Sequence, residues 1–420
     1  MQERVDKTHL AGRVRIPASK SHTIRALIFA TLAEGRSRIQ NPLDSNDTRS
    51  CVNACKLLGA KIVSAPGEFI VDGTAGRLTV PENVIDVGNS GTTMYLCAGA
   101  AALAPGWSFF SGDGQIRKRS IEHLLNSLKE LGAQTFTSRD NGCAPFAVRG
   151  PLIGGRTTIE SHTSQWLSSL LMTLPIVAND SEIEVPILNE RPYVKMTLGW
   201  LDELGIKYET EEMRRFRVPG GQIYRGFTRQ VPADFSSATF FLCAAAITKS
   251  TLTLDGLDMN DTQGDKAVVD ILREMGCEIS IEDKAITITG KELSGGEFDL
   301  NSMPDALPAL AATACYANHD TRLVNVPQAR AKETDRIHIM AEELRKMGAD
   351  IDEAEDGMTI HPSRLKGDFV NGNSDHRVVM ALAIAGLGAT GATIIDTAET
   401  AAVTFPTFFE DLRTIMHSSL

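Results

Sequence analysis

Two helical patterns alternate along the chain with a common period. The first is charged on one side and ends in a Leu/Met–Gly–small signature: KLLGAKI, KELGAQT, DELGIKY, REMGCEI and RKMGADI, with glycines at 59, 132, 205, 276 and 348. The intervals are 73, 73, 71 and 72 residues. Such a pattern predicts a solvent-facing helix closed by a C′ glycine and followed directly by a strand. The second pattern is apolar nearly all round and rich in small residues, which predicts a buried helix. It starts at Ser21, Gly91, Ser164, Ser236, Asp305 and His376, at intervals of 70, 73, 72, 69 and 71 residues. Short β-branched runs such as GRVRIP, RTTIES, SEIEVPI, STLTLDG, AITITG and ATIIDT fall between the helices and predict strands.

Six units of about 70 residues therefore fill the 420 residues, each a β/α module with one buried and one exposed helix. A chain of this length exceeds one core, because domains hold ~100–200 residues. Two lobes of three units with a cleft between them are expected, in preference to a closed ring or an extended array.

Composition adds exclusions. Lys and Arg number 42 against 53 Asp and Glu, a net charge of −11 with no basic tail. That balance argues against nucleic acid or an anionic membrane as partner, though a local basic cluster can still hold a small anion. The seven cysteines are scattered through apolar segments without a CxxC, so neither a disulfide framework nor a zinc site is expected, and Cys51 and Cys55 read as packing residues. A reducing, cytoplasmic setting fits. The N-terminal MQERVDKTHL carries no signal pattern, and the apolar run around 378–395 is broken by glycines, so no membrane span is expected.

Unusual polar residues gather at the starts of the buried helices. They are Lys20, Ser21 and Arg25; Asn89 to Thr92; Ser161 to Gln165; Asp234, Ser236 and Ser237; Asp305; and Asp375, His376 and Arg377. A helix N-terminus attracts phosphate and carboxylate through its unpaired N–H groups. Six such ends facing one cleft would suit a polyanionic substrate pair. Capping preference accounts for the Ser, Thr, Asp and Asn residues, but not for Lys20, Arg25 and Arg377. More basic residues lie in GDGQIRKRS (Arg117, Lys118, Arg119) and AKETDR (Lys332, Arg336), where a solvated charge run is the alternative. On a helix start, Lys332 and Arg336 would share a face, with Glu333 between them and Asp335. A carboxylate flanked by cations is a sensible acid–base group. No GxxxxGK[ST], complete dinucleotide fingerprint, HExxH or GxSxG occurs. A cofactor-free reaction on small anionic molecules remains.

Read together, PASKSHTIRALIFATLAEG, DSNDTR, GNSGTTM, SQWLSSLLM, PADFSSATFFL, AKETDRI, SDHRVVMALAIAG and TFPTFFEDL resemble the 5-enolpyruvylshikimate-3-phosphate synthase (3-phosphoshikimate 1-carboxyvinyltransferase) family, in order from about residue 10 to 415. The resemblance implies an α/β fold of two similar lobes, each with three βαβαββ units and buried helices, an inside-out α/β barrel. One lobe would span residues 19–233 and the other 1–18 plus 234–420. It implies transfer of the enolpyruvyl group of phosphoenolpyruvate to the 5-hydroxyl of shikimate 3-phosphate, with release of phosphate and no metal or other cofactor. Lys20, Ser21, Arg25, Thr163, Ser164, Gln165, Asp305, Gln328 and Lys332 would hold shikimate 3-phosphate. Lys20, Gly91, Arg119, Gln165, Arg336 and Arg377 would hold phosphoenolpyruvate. Lys20, Asp305 and Glu333 would be the catalytic residues, Asp305 taking the 5-hydroxyl proton and Glu333 protonating the methylene of phosphoenolpyruvate. A cytoplasmic monomer is implied, open when free and closing on its ligand.

Four positions depart from the family pattern. Tyr95 stands where GNSGTTM is usually followed by arginine, Val403 where lysine often precedes TFP, Gln328 for an asparagine and Glu190 for a serine near the shikimate phosphate. Together they remove up to two positive charges from the phosphoenolpyruvate side and add a negative one near shikimate. Each buried charge-assisted contact is worth ~1.5–3 kcal/mol, so Arg117 or Lys118 would have to compensate. A divergent paralogue with another alcohol acceptor, and a non-catalytic binding paralogue, stand as alternatives. The sister UDP-N-acetylglucosamine transferases are disfavoured because the GDGQIRKRS loop has no cysteine.

Overall fold

In the computed structural model, which describes residues 1–417, the chain forms two compact units. One is Ala18–Val231; the other joins Met1–Pro17 to the chain from Pro232 onward. The first carries helices α1 (Lys20–Leu32), α2 (Asn46–Leu57), α3 (Gly91–Ala101), α4 (Glu122–Glu130), α5 (Ser164–Thr173) and α6 (Arg191–Glu203). The second carries α7 (Phe235–Thr248), α8 (Val268–Glu274), α9 (Leu307–Ala314), α10 (Arg336–Lys346), α11 (His376–Gly386) and α12 (Phe408–Ile415).

The two predicted helix classes are both present. Every residue of α7 and of α11 is buried, as befits helices apolar on all sides. In the first unit α3 packs on α1 and α5. The α3–α5 approach needs glycine at 99, where an added Cβ would lie 2.4 Å from Ser169 Oγ. The second unit repeats the arrangement, with α7, α9 and α11 in mutual contact. The exposed helices α2, α4, α6, α8 and α10 are each followed, after one intervening residue, by Gly59, Gly132, Gly205, Gly276 or Gly348. All five lie at φ between 70° and 108°. Side chains rarely adopt that region, and it lets the backbone turn straight into the next strand.

The sheets repeat as well. Around α3, Ile85–Asp86 pairs in parallel with Trp107–Ser111, which then pairs antiparallel with Phe146–Arg149. Around α5, Gly155–Thr158 pairs in parallel with Ser181–Glu184, and that strand antiparallel with Arg215–Val218. A parallel pair needs a crossover, and here a buried helix supplies it. The α1 module closes differently: its strand Arg36–Gln40 takes its parallel partner, Thr228–Gln230, from the far end of the unit. The second unit closes likewise, with His9–Arg15 lying parallel to Thr251–Asp255 in register Thr251↔Ala11. This repeated crossover places the N-terminus of each buried helix just past the end of a parallel strand. Among the described residues no helix is long and apolar enough to cross a membrane.

Candidate active site

In the unit Ala18–Val231 the predicted residues sit at the N-termini of α1, α3 and α5. Ser19 caps α1, its Oγ accepting from the His22 N–H at 3.4 Å. Lys20 opens the helix, with its ammonium 3.0 Å from Oδ2 of buried Asp47 in the first turn of α2. Arg25 is 1% exposed. Its Nε donates to Thr197 Oγ1 at 2.9 Å, Nη1 to the Ser21 carbonyl at 3.1 Å, and Nη2 to the Tyr193 carbonyl at 3.2 Å and Ser168 Oγ at 3.4 Å. Burial brings its pKa down to about 10, with Tyr193 and Glu190 acting in the opposite sense. Arg25 is therefore still charged at neutral pH. Those four hydrogen-bond partners are neutral dipoles, a setting in which a cation favours an incoming phosphate.

At α5, Glu190 supplies the anion. Its Oε2 accepts from the Ser164 N–H at 3.1 Å, Ser164 Oγ at 2.7 Å and Thr163 Oγ1 at 3.2 Å. Gln165 donates from Nε2 to Thr163 Oγ1 at 3.4 Å, while its Oε1 is buried without a hydrogen-bond partner. At α3, a Cβ added to Gly91 would stand 2.2 Å from Arg119 Nη1, so the guanidinium lies directly on the helix start. Asp113 pins the turn that carries Arg119, its Oδ1 accepting from the N–H groups of Gln115 and Ile116, each at 2.9 Å. Tyr95 braces the same turn: its hydroxyl donates to the Ser120 carbonyl at 3.1 Å, and its ring meets Trp166 edge-on at 6.1 Å. Arg117 donates instead to the Gly112 carbonyl, and Lys118 is exposed.

In the second unit a denser cluster surrounds Arg336. This guanidinium, 1% exposed, donates from Nε to Asp375 Oδ2 at 2.8 Å and from Nη2 to Asp375 Oδ1 at 3.2 Å. It also donates from Nη1 to Asp305 Oδ1 at 2.8 Å and from Nη2 to Glu333. Arg377 Nη2 is 3.0 Å from Asp305 Oδ2, and Lys332 Nζ is 3.9 Å from Asp305 Oδ1. Asp375 also caps α11, accepting from the Arg377 N–H at 2.9 Å. Three cations thus face three carboxylates. Burial alone would raise the Asp305 carboxyl, but Arg377, Lys332 and Arg336 outweigh it and hold the group well below the usual carboxylate range. Burial alone would lower Arg336; Asp375, Glu333 and Asp305 instead hold it above its ordinary value. Gln328 donates from Nε2 to the Asn301 carbonyl at 2.9 Å, and its buried Oε1 has no hydrogen-bond partner.

One local expectation is corrected. Lys332 and Arg336 do not share a helical face, because α10 begins at Arg336 and Asp335 is its N-cap, accepting from the His338 N–H at 3.0 Å. Lys332 and Glu333 lie in the preceding loop and converge on Asp305 and Arg336 through tertiary contacts. Of the polar residues at the helix starts, Lys20, Ser21, Arg25 and the Thr163–Gln165 turn gather in one unit with Gly91 and Arg119. Asp305, Gln328, Lys332, Glu333, Arg336 and Arg377 fall in the other. Val403 closes a short turn, Ala398–Val403, and is half-buried.

Along the sequence Asp375 is placed at its helix start without a partner and Asp47 stands only inside a motif; the structure pairs them with Arg336 and Lys20. Their signal was present, as the N-cap that opens DHR and as the second acidic residue of DSNDTR. Among the described residues, two further groups have potential ligand atoms within 4.8 Å of one another, Cys51/Cys55/Cys97 in the core and His123/Glu160/His162 nearer the surface. Neither includes a residue of the clusters above.

Comparisons with known proteins show the family. Residues 5–412 match the family model described as EPSP synthase (3-phosphoshikimate 1-carboxyvinyltransferase). The chain is 56% identical to the 3-phosphoshikimate 1-carboxyvinyltransferase of Acetivibrio thermocellus over 96% of each chain. It is 52% identical to that of Ruminiclostridium cellulolyticum, over 98% of this chain and 97% of the relative. Among solved structures, an EPSP synthase from Acinetobacter baumannii superposes with a TM-score of 0.83 at 28% identity, covering 99% of this chain and 98% of the other. The enolpyruvyl transferase NikO from Streptomyces tendae shares the fold, with a TM-score of 0.80 at 18% identity over 99% of this chain and 97% of its own. With its repeated crossover modules, its basic helix starts and a match over nearly its whole length, the chain belongs to the EPSP synthase (3-phosphoshikimate 1-carboxyvinyltransferase) family.

Proposed function

We propose that the chain transfers the enolpyruvyl group of phosphoenolpyruvate to the 5-hydroxyl of shikimate 3-phosphate and releases phosphate. The observation that carries this reading is the Asp305 carboxylate, held by Arg336 and Arg377 with Lys332 beside it and Glu333 on the same Arg336 guanidinium. Lys20, Ser21, Arg25, Thr163, Ser164 and Gln165 hold the acceptor and its phosphate, with Gln328 and Lys332 at its hydroxyl groups. Lys20, Gly91, Arg119, Gln165, Arg336 and Arg377 hold phosphoenolpyruvate.

The proton chemistry follows from the electrostatics. Glu333 delivers a proton to C3 of phosphoenolpyruvate, and positive charge develops at C2. The 5-hydroxyl oxygen bonds to C2 while Asp305 accepts its proton. The C2–O bond to phosphate then breaks, C3 returns a proton to Glu333, and the hydroxyl proton held by Asp305 passes to the departing phosphate, so that the enol ether and hydrogen phosphate leave. With its three cations unneutralised, Asp305 is a weak base. An anionic substrate that draws Arg336, Arg377 and Lys332 onto its own carboxylate and phosphate raises the basicity of Asp305 as the reactants assemble. The same cations stabilise the departing phosphate without an external acid.

The test is phosphate release by the full chain from phosphoenolpyruvate with shikimate 3-phosphate, beside shikimate and other alcohols as acceptors. Release that requires shikimate 3-phosphate is expected, with loss of about 10²–10⁴-fold in Asp305→Ala and Glu333→Ala. Release with another alcohol and none with shikimate 3-phosphate would overturn the reading in favour of a divergent acceptor.

A further inference from the structure

The start of α5, where the proposed function seats the acceptor's phosphate, already holds an anion supplied by the chain itself. Glu190 is the residue before α6, and at φ 54° and ψ 42° it lies in the left-handed region that side chains seldom enter. Short polar residues such as Ser, Thr, Asp and Asn ordinarily cap a helix from that position. Glu190 makes no such cap for α6. Its carboxylate reaches back 26 residues instead, and a single oxygen collects the Ser164 N–H, the Ser164 hydroxyl and the Thr163 hydroxyl at 2.7–3.2 Å. Three donors on one oxygen at a helix start is the coordination that a phosphoryl oxygen takes. The residue is 2% exposed, and its charge acts on buried Arg25.

We propose that Glu190 is a resident surrogate for the acceptor's phosphate, occupying the phosphate donors of α5 in the free protein and giving them up when the phosphorylated acceptor binds. The inference rests on the proposed function, which assigns those donors to shikimate 3-phosphate. Carboxylate and phosphate cannot share these hydrogen atoms, and two anions at contact distance in a buried site repel strongly. Ligand affinity is therefore reduced by the fraction of molecules in which the carboxylate is out. The cost is the same for both ligands and bears hardest on the weaker one. Inorganic phosphate, which gains only the phosphate contacts, competes poorly with the tethered carboxylate. The whole acceptor has further contacts through its ring hydroxyls and displaces it.

Calorimetric titration of the full chain with inorganic phosphate and, separately, with shikimate 3-phosphate tests this, comparing the wild type with Glu190→Gln and Glu190→Ser. The glutamine keeps the size and one acceptor but not the charge. Both ligands should bind each variant at least about tenfold more tightly, a gain of about 1.4 kcal/mol. The KM for shikimate 3-phosphate should fall by a similar factor while that for phosphoenolpyruvate holds. The shift of each variant's melting temperature on ligand addition, taken against its own unliganded value, gives the same ranking for any variant that folds less stably. If Glu190 only braces two helices, the variants melt lower and bind both ligands as the wild type does; that result overturns the inference, as does weaker binding in both variants. Failure of shikimate 3-phosphate to bind wild type and variants alike would instead count against the proposed function.

Discussion

Asp375 offers the sharpest test of how the Arg336 cluster is held together. It is fully buried, does not act on substrate in the proposed reaction, and spends both oxygens on Arg336 while capping the Arg377 N–H. Asp375→Ala leaves Arg336 buried beside Asp305 and Glu333 with three cations facing two carboxylates. Breaking a buried pair from one side costs ~3–5 kcal/mol and losing a cap about 1 kcal/mol. These terms share atoms and do not add fully, so a loss of about 4 kcal/mol is expected. In a unit of about 200 residues, each kcal/mol moves the midpoint by ~2–4 °C, giving a drop of about 8–16 °C in the transition of that unit. Scanning calorimetry reads it directly. Asp375→Asn retains the shape and a cap acceptor but not the charge, and should fall between. The freed Arg336 leans further onto Asp305 and Glu333, so the KM for phosphoenolpyruvate should rise at least about tenfold, by loss of a charge-assisted contact. An Asp375→Ala protein that melts within 2 °C of wild type (about 1 kcal/mol or less) with an unchanged KM would refute the reasoning.

Gly91→Ala puts a methyl group 2.2 Å from Arg119 Nη1 and must push the guanidinium off the α3 start. The KM for phosphoenolpyruvate should rise, with little change for shikimate 3-phosphate; steady-state kinetics with each substrate varied will show it, and equal effects on both would argue against Arg119 serving phosphoenolpyruvate. Asp305 carries a depressed folded pKa, so its contribution to stability is complete above the unfolded value of ~3.9 and is lost as pH falls toward the folded one. Asp305→Asn should therefore be less stable at neutral pH and show a shallower acid limb in denaturant unfolding between about pH 4 and 2; an unaltered slope would contradict the assignment. Gln165→Met removes a buried acceptor that has no hydrogen-bond partner, so thermal stability should change by less than about 1 kcal/mol while substrate affinity falls. A large loss of stability would mean that the amide serves the fold.

The architecture was legible where it depends on local chemistry. The five glycines at intervals of 71–73 residues all adopt the left-handed conformation the C′ position demands. Helices predicted at Gly91, Ser164 and His376 begin at those residues, because an N-cap and an all-round apolar run are written within a few positions. The loop before α10 was misread for the converse reason. Periodicity admits KETDR into a helix, and only the Asp335 cap shows that the helix starts at Arg336.

The period, the two helix classes, the family and the charged residues gathered at the helix starts can all be read along the chain. Each of those is carried by neighbours along the chain or by ordered motifs. Tertiary structure decided the partners. Asp305, Arg336 and Asp375 come from three helix starts 31 and 39 residues apart and meet only because α9, α10 and α11 pack together. Thr228–Gln230 finds Arg36–Gln40 across nearly the whole of its unit. Glu190 was visible as a charge in place of a serine; that its carboxylate lies on the α5 donors depends on a left-handed backbone turn and on the packing of α5 against α6. Charge pairing in a buried site depends on distances between elements, and only the folded chain sets those distances.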